Sequence, residues 1–171
     1  MSLDVRVEEL TERELRPVEY RWDTDTDILI AVLRSAHVSE GLTGSMDIEG
    51  ADGAWITLEL TDGRLGSVEI AVWPDVRTVA SLPVPTTARP ARIRVPARRS
   101  QPGPEALEVN TAIQAVADKA ERTIHFRIGA SRPTSVLRVA TDLLLELDAE
   151  SRIVGLWLLN VPPFPAAPGS S

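Results

Sequence analysis

Two stretches of this 171-residue chain spell the same hairpin, and that repetition constrains its fold more than any other feature. Residues 56–70 read ITLELTDGRLGSVEI and residues 144–158 read LLELDAESRIVGLWL. Each places an acid-bearing turn between two apolar strands. Arg64 or Arg152 opens the return strand, and Gly66 or Gly155 follows with one or two residues between. Asp62-Gly63 supplies the positive φ values of a tight hairpin turn, and a glycine inside a strand marks a bulge or a close backbone approach. A further strand pair precedes each hairpin, at 18–33 and 124–140, so the two halves share an order.

The rest of the chain is read around these hairpins. Residues 3–8 and 18–22 alternate apolar and polar, the period of half-buried strands. Thr11 and Glu14 have capping-box spacing, so a helical turn begins there and stops at Pro17. Residues 28–33 are continuously apolar and β-branched, which predicts a strand buried on both faces. The glycine-rich stretch 35–53 reads as a loop with a short strand at Met46-Asp47-Ile48. Six prolines between 83 and 104 predict an extended connector containing one edge strand at 91–95. Residues 105–121 carry the best helical pattern: Pro104 and Glu105 at the start, then Val109, Ile113, Val116 and Ala120 on one stripe. The expected architecture is therefore α+β, an antiparallel sheet from two related halves with the helix at about 105–121 packed on it. The expected divisions are a first β-rich half at 1–82, the connector at 83–104, the helix plus second half at 105–161, and a Pro/Ala/Gly/Ser tail at 162–171. The halves are expected to form one pseudo-symmetric domain.

Composition narrows the chemistry. With no cysteine there is no disulfide, thiolate nucleophile or thiolate ligand. No apolar run reaches about 18 residues, the length a membrane helix needs. The N-terminus has no basic start followed by an apolar stretch, so a cytoplasmic location is expected. Seventeen of the eighteen basic residues are arginine, the usage of a high-GC bacterial gene. The formal charge of −7 divides unevenly: residues 1–75 hold seventeen acids and six arginines, residues 76–171 eight acids and twelve bases. Such a division is expected to dock the two halves on each other or to present an acidic face to a basic partner, and net acidity argues against a nucleic-acid partner.

Trp22-Asp23-Thr24-Asp25-Thr26-Asp27-Ile28-Leu29-Ile30, taken with Asp62-Gly63-Arg64-Leu65-Gly66-Ser67-Val68-Glu69-Ile70, resembles the small bacterial YuzE-like domain of unknown function. That family opens on an aromatic-Asp pair before a strand and closes on an Asp-x-x-Gly turn and an Ile-Val-Gly-Ile-Glu-like strand. Residues 152–159 (RIVGLWLL) match the closing strand, with Trp157 where an acid is usual. The second half lacks the aromatic-Asp opening, carrying Phe126-Arg127 instead, and the loop at 35–53 is an insertion. The resemblance covers about half the chain and implies a small α+β fold, present here in two copies, with no known activity.

Candidate sites are few. Asp23, Asp25 and Asp27 alternate like the start of a calcium loop, but Ile28 and Arg34 occupy the positions that need glycine and glutamate, so the motif reads as a solvated turn. His37 and His125 have no triad spacing around them. Arg89, Arg92, Arg94, Arg98 and Arg99 have no interleaved aromatic for base stacking, and read as a charged guard on a strand edge or a strap over the acidic half. Four tryptophans, Trp22, Trp55, Trp73 and Trp157, outnumber the other aromatics; most are expected in the core, with one or two at the rim of an interface or of a pocket between the halves. No catalytic, metal-binding or cofactor-binding set is assigned. The residues offered as a ligand or partner surface are Trp22, Asp23, Asp27, Arg92, Arg94, His125 and Trp157. The expected function is that of a non-enzymatic protein-interaction module, binding another protein or a second copy of itself as a homodimer, away from any membrane. The alternative is a small-molecule-binding protein or enzyme with a pocket between the two halves.

Overall fold

A computed structural model describes residues 5–33, 44–61, 64–94, 105–130 and 132–165. Its strands, in chain order, are β1 (Arg6–Glu9), β2 (Val18–Asp23), β3 (Ile28–Leu33), β4 (Gly44–Gly50), β5 (Trp55–Thr61), β6 (Arg64–Val72), β7 (Val76–Val79), β8 (Arg89–Arg94), β9 (Glu105–Thr111), β10 (Ile113–Asp118), β11 (Ile124–Ile128), β12 (Ser135–Ala140), β13 (Leu143–Leu147) and β14 (Ile153–Leu158). The single helical element among the described residues is a 3-10 turn at Glu12–Glu14, closed by the Thr11–Glu14 capping box that the spacing predicts.

The α+β expectation is wrong, because the expected helix at 105–121 is two strands, β9 and β10, followed by a turn. The apolar residues there satisfy two periods at once. Ile113, Ala115 and Ala117 are buried and their alternating neighbours are more exposed, whereas Val116 is only partly buried and Ala120 is exposed. Period two therefore wins over period 3.6. The reason is tertiary: β10 has a partner on each side, antiparallel β11 and parallel β7, and two ladders outweigh a weak helix preference. The sheet is also mixed rather than antiparallel, since β4–β9 and β8–β12 pair in parallel as well.

With that correction the repeat becomes longer than the sequence suggests. In the first copy the strands lie side by side in the order β2-β3-β6-β5-β4, and in the second in the order β10-β11-β14-β13-β12. Residues 113–118 thus supply the missing first strand of the second copy. The register matches in detail. Leu60 faces Leu65 and Glu59 faces Ser67, leaving Gly66 as an extra residue; Leu147 faces Ile153 and Glu146 faces Gly155, leaving Val154 as the extra one. Both hairpins carry a bulge at the same place, where one residue opposes two. The turn residues 62 and 63 lie outside the described residues, and Thr61 pairs with Arg64 across them.

Each copy also receives a parallel strand on the last strand of that order, β9 on β4 and β8 on β12. The strand expected at 91–95 is β8, but it is no free edge: it pairs with β12, with β1 and, at Arg94, with Arg64 of β6. It therefore stitches the copies together. The expectation that β3 is buried on both faces fails, since only Leu29 and Ala31 are fully buried there. It is β13 and β14 that are buried throughout. The inward residues of both copies, among them Leu29, Ile56, Val68 and Ile70 of the first and Phe126, Leu137, Leu145 and Leu156 of the second, form one hydrophobic cluster. Burying each such side chain contributes about 1.5–3 kcal/mol, so one shared core holds both copies. No helix among the described residues is long and apolar enough to cross a membrane.

Candidate functional site

The copies meet at the ends of β2 and β10, and there they leave a cavity of about 400 Å3. Its walls come from both: Trp22, Asp27 and Trp73 from the first copy, Ala117, Glu121 and Ile124 from the second, with Val76 of β7 and Pro162–Phe164 of the tail. Strand register explains why space remains. Trp22 pairs with Leu29, which pairs with Ile70; Ala117 pairs with Ile124, which pairs with Leu158. Trp22 and Ala117 are therefore equivalent positions, and the pocket opens where one copy has an indole and the other a methyl group.

The tail crosses in a comparable way. After β6 the chain crosses to the second copy and adds β7 to β10. After β14 it crosses to the first copy, but Pro162, Pro163 and Pro165 lack the N–H groups a ladder requires. Instead Trp22 Nε1 donates to the Pro162 carbonyl at 2.9 Å. Phe164 then stands edge-on to Trp22, with ring centroids 5.2 Å apart at 79°. Trp22 stacks on Trp73 at 5.8 Å and 18°, and Trp73 leans on Phe126 of the second copy at 5.8 Å. Trp73 Nε1 donates to the Asp27 carbonyl at 2.8 Å. Both indole donors are thus engaged with backbone, which fixes the two rings at the cavity wall. Val76 and Phe164 are 38% and 46% exposed, and with Val72 they are the exposed large apolar side chains among the described residues. Two of those three stand at this one opening.

Asp27 and Glu121 both line the pocket and both have left-handed backbone, φ 59° and 56°. Asp23 does not line it. It ends β2 and accepts the Asp25 N–H at 3.0 Å, while the equivalent Asp118 ends β10 and accepts from Arg122 and Thr123 at 2.9 and 3.3 Å. The acidic turn is thus a backbone cap, and the second copy does keep that aspartate, displaced from where Phe126-Arg127 suggested. Among the described residues no group of three His, Asp or Glu side chains is placed to hold a metal.

The other expected site residues fall in two further places. Arg92 pairs with Glu8 at 2.5 Å, Arg94 approaches Glu8 at 3.9 Å and Arg89 pairs with Glu9 at 3.1 Å. Those arginines fasten β8 to the acidic β1; Arg98, Arg99 and His37 lie outside the described residues. His125 and Trp157 do come together, stacked at 4.2 Å and 26°, on the side of the second copy's sheet facing away from the common core. Glu146 reaches across β14 to place Oε1 2.5 Å from His125 Nε2. It can do so because Gly155 lies beneath it: a Cβ there would fall on the Glu146 carboxylate. Trp157 is 4% exposed, and its Nε1 is buried with no hydrogen-bond partner.

Of the residues offered from sequence as a ligand or partner surface, Trp22 and Asp27 line this cavity; Trp73, Phe164, Ala117 and Glu121 line it too and were not among them. Phe164 carries a faint signal, as the lone aromatic in a proline-rich tail. Ala117 and Glu121 carry none, because they were placed on a helix. Compared with known proteins, the chain matches no protein-family model and no curated protein sequence.

Proposed function

We propose that this protein binds a small organic molecule, without transforming it, in the pocket between its two copies. The observation that carries this reading is the aromatic corner of Trp22, Trp73 and Phe164, held open to solvent in a cavity shared by both copies. Exposed apolar surface costs free energy, and its concentration at one concave opening is the signature of a ligand site. A volume of about 400 Å3 is near the small end of ligand pockets, which run roughly 300–1,000 Å3, so the occupant is a small molecule rather than a protein segment. This favours the pocket reading over a protein-interaction module.

The test uses the tryptophans as reporters. A panel of small aromatic, aliphatic and charged compounds is titrated against the protein while indole fluorescence and the Trp22 and Trp73 Nε1–H resonances are followed. The same panel is applied to Ala120→Trp, a substitution at an exposed pocket-lining position that fills the mouth. Binders are expected to shift both resonances in the wild type and to lose at least ten-fold in affinity in the variant. A panel that shifts neither resonance, or shifts them equally in the variant, contradicts the reading.

A further inference from the structure

We infer that the ligand of this pocket is a small organic cation of the methylated-ammonium type; the inference rests on the pocket reading above and assigns its ligand class. Three features of the lining converge on it. The lining includes three aromatic rings, Trp22, Trp73 and Phe164, and the negative quadrupole of such rings attracts a cation within about 6 Å of the centroid, most strongly for tryptophan. Two of the lining residues are acids, Asp27 and Glu121, one from each copy. None of the described lining residues is basic. Lys119 and Arg122 flank Glu121 in the sequence, but neither belongs to the lining, and Arg122 turns its carbonyl to the Val161 N–H at 2.9 Å.

The indole hydrogen-bonding pattern points the same way. A site for sugars or nucleobases orients its ligand with free polar donors, whereas both indole N–H groups here are engaged with the Pro162 and Asp27 carbonyls. What the lining offers besides is aromatic and apolar surface and two acidic residues. A methylated ammonium needs no hydrogen-bond acceptor and gains from both. A primary ammonium would have to shed tightly held water, and a carboxylate or phosphate would meet two like charges.

Tetramethylammonium and choline are the probes, and 3,3-dimethyl-1-butanol is the comparison, having choline's shape without its charge. Affinities are measured by indole fluorescence and by the Trp22 and Trp73 Nε1–H resonances at low ionic strength. Choline is expected to bind about ten-fold more tightly than its neutral counterpart, the range expected for a partly desolvated cation–π contact. Asp27→Asn with Glu121→Gln keeps side-chain shape, and asparagine tolerates left-handed backbone. The double variant is expected to lose the part of that preference owed to the two carboxylates, about two- to three-fold at low ionic strength, and to keep the part owed to the rings, while binding the alcohol as before. Equal binding of choline and the alcohol overturns the cation assignment and leaves the pocket reading intact. Binding of neither probe also overturns it, and the pocket reading is then decided by the compound panel and Ala120→Trp. A trimethyllysine peptide binding where tetramethylammonium and choline do not overturns the assignment to a free small molecule.

Discussion

Gly155 shows how much one missing side chain can organise. Glu146 sits on β13 and His125 on β11, with β14 between them, and the carboxylate spans that gap only because position 155 has no Cβ. Gly155→Ala is expected to displace Glu146, break its contact with His125 and cost about 1–3 kcal/mol, the price of leaving a buried polar group without its partner. Gly66 makes the contrast, since a Cβ there meets the Glu59 carbonyl at an ordinary 3.7 Å. Gly66→Ala is expected to be neutral or to stabilise by up to about 1 kcal/mol, by restricting the unfolded chain. Denaturant unfolding of the two variants measures both, and equal losses would refute the argument. Both glycines were legible as special in the sequence, one as the bulge and the other as the close approach. Glu146 was not, because its partner lies two strands away and no local pattern records that distance.

Among the elements, the turn between β13 and β14 depends on Asp148. Its carboxylate accepts the Glu150 and Arg152 N–H groups at 2.9 Å each and the Arg152 guanidinium at 2.8 Å. Burial pushes the carboxyl's pKa up, but the Arg152 and Glu150 hydrogen bonds and the guanidinium charge outweigh it, and the net shift is downward. A carboxyl whose folded pKa lies below its unfolded value of about 3.9 adds stability above that pH and loses it as pH falls through the folded value. Asp148→Ala is therefore expected to lose about 1–3 kcal/mol at neutral pH, with the gap to wild type closing under acid. A gap that stays constant down to acid pH would show that the carboxylate charge is not the cause. Strand positions, hairpins and the 3-10 turn were readable because their patterns are local. The stretch 105–121 was not, since Val109, Ile113 and Val116 fit a helix stripe as well as a strand face. Only β7 and β11, which come from elsewhere in the chain, decide between them.

At the scale of the molecule, the meeting of two strand sets of like order makes the pocket. Two five-strand units of like topology bury their inner faces in one core, and each sends its following segment across to the other. Large and small residues exchange at equivalent positions, Tyr20 and Ala31 pairing in one copy as Ala115 and Phe126 do in the other. Where that exchange balances, the core is filled; where Trp22 meets Ala117, a cavity remains. The repeat was visible in the hairpins at 56–70 and 144–158, but the pocket was not. It arises from a difference between copies and from a tail whose prolines divert it from strand pairing onto Trp22.

The account rests on the two copies meeting through their aromatic rings, and nuclear Overhauser effects between assigned rings test it most directly. Cross-peaks are expected from Trp73 to Phe126 and from Trp22 to Phe164, linking positions far apart in the chain. Cross-peaks from Trp22 and Trp73 confined to residues 18–73 would show two separate units, and with them the shared core and its pocket would be lost.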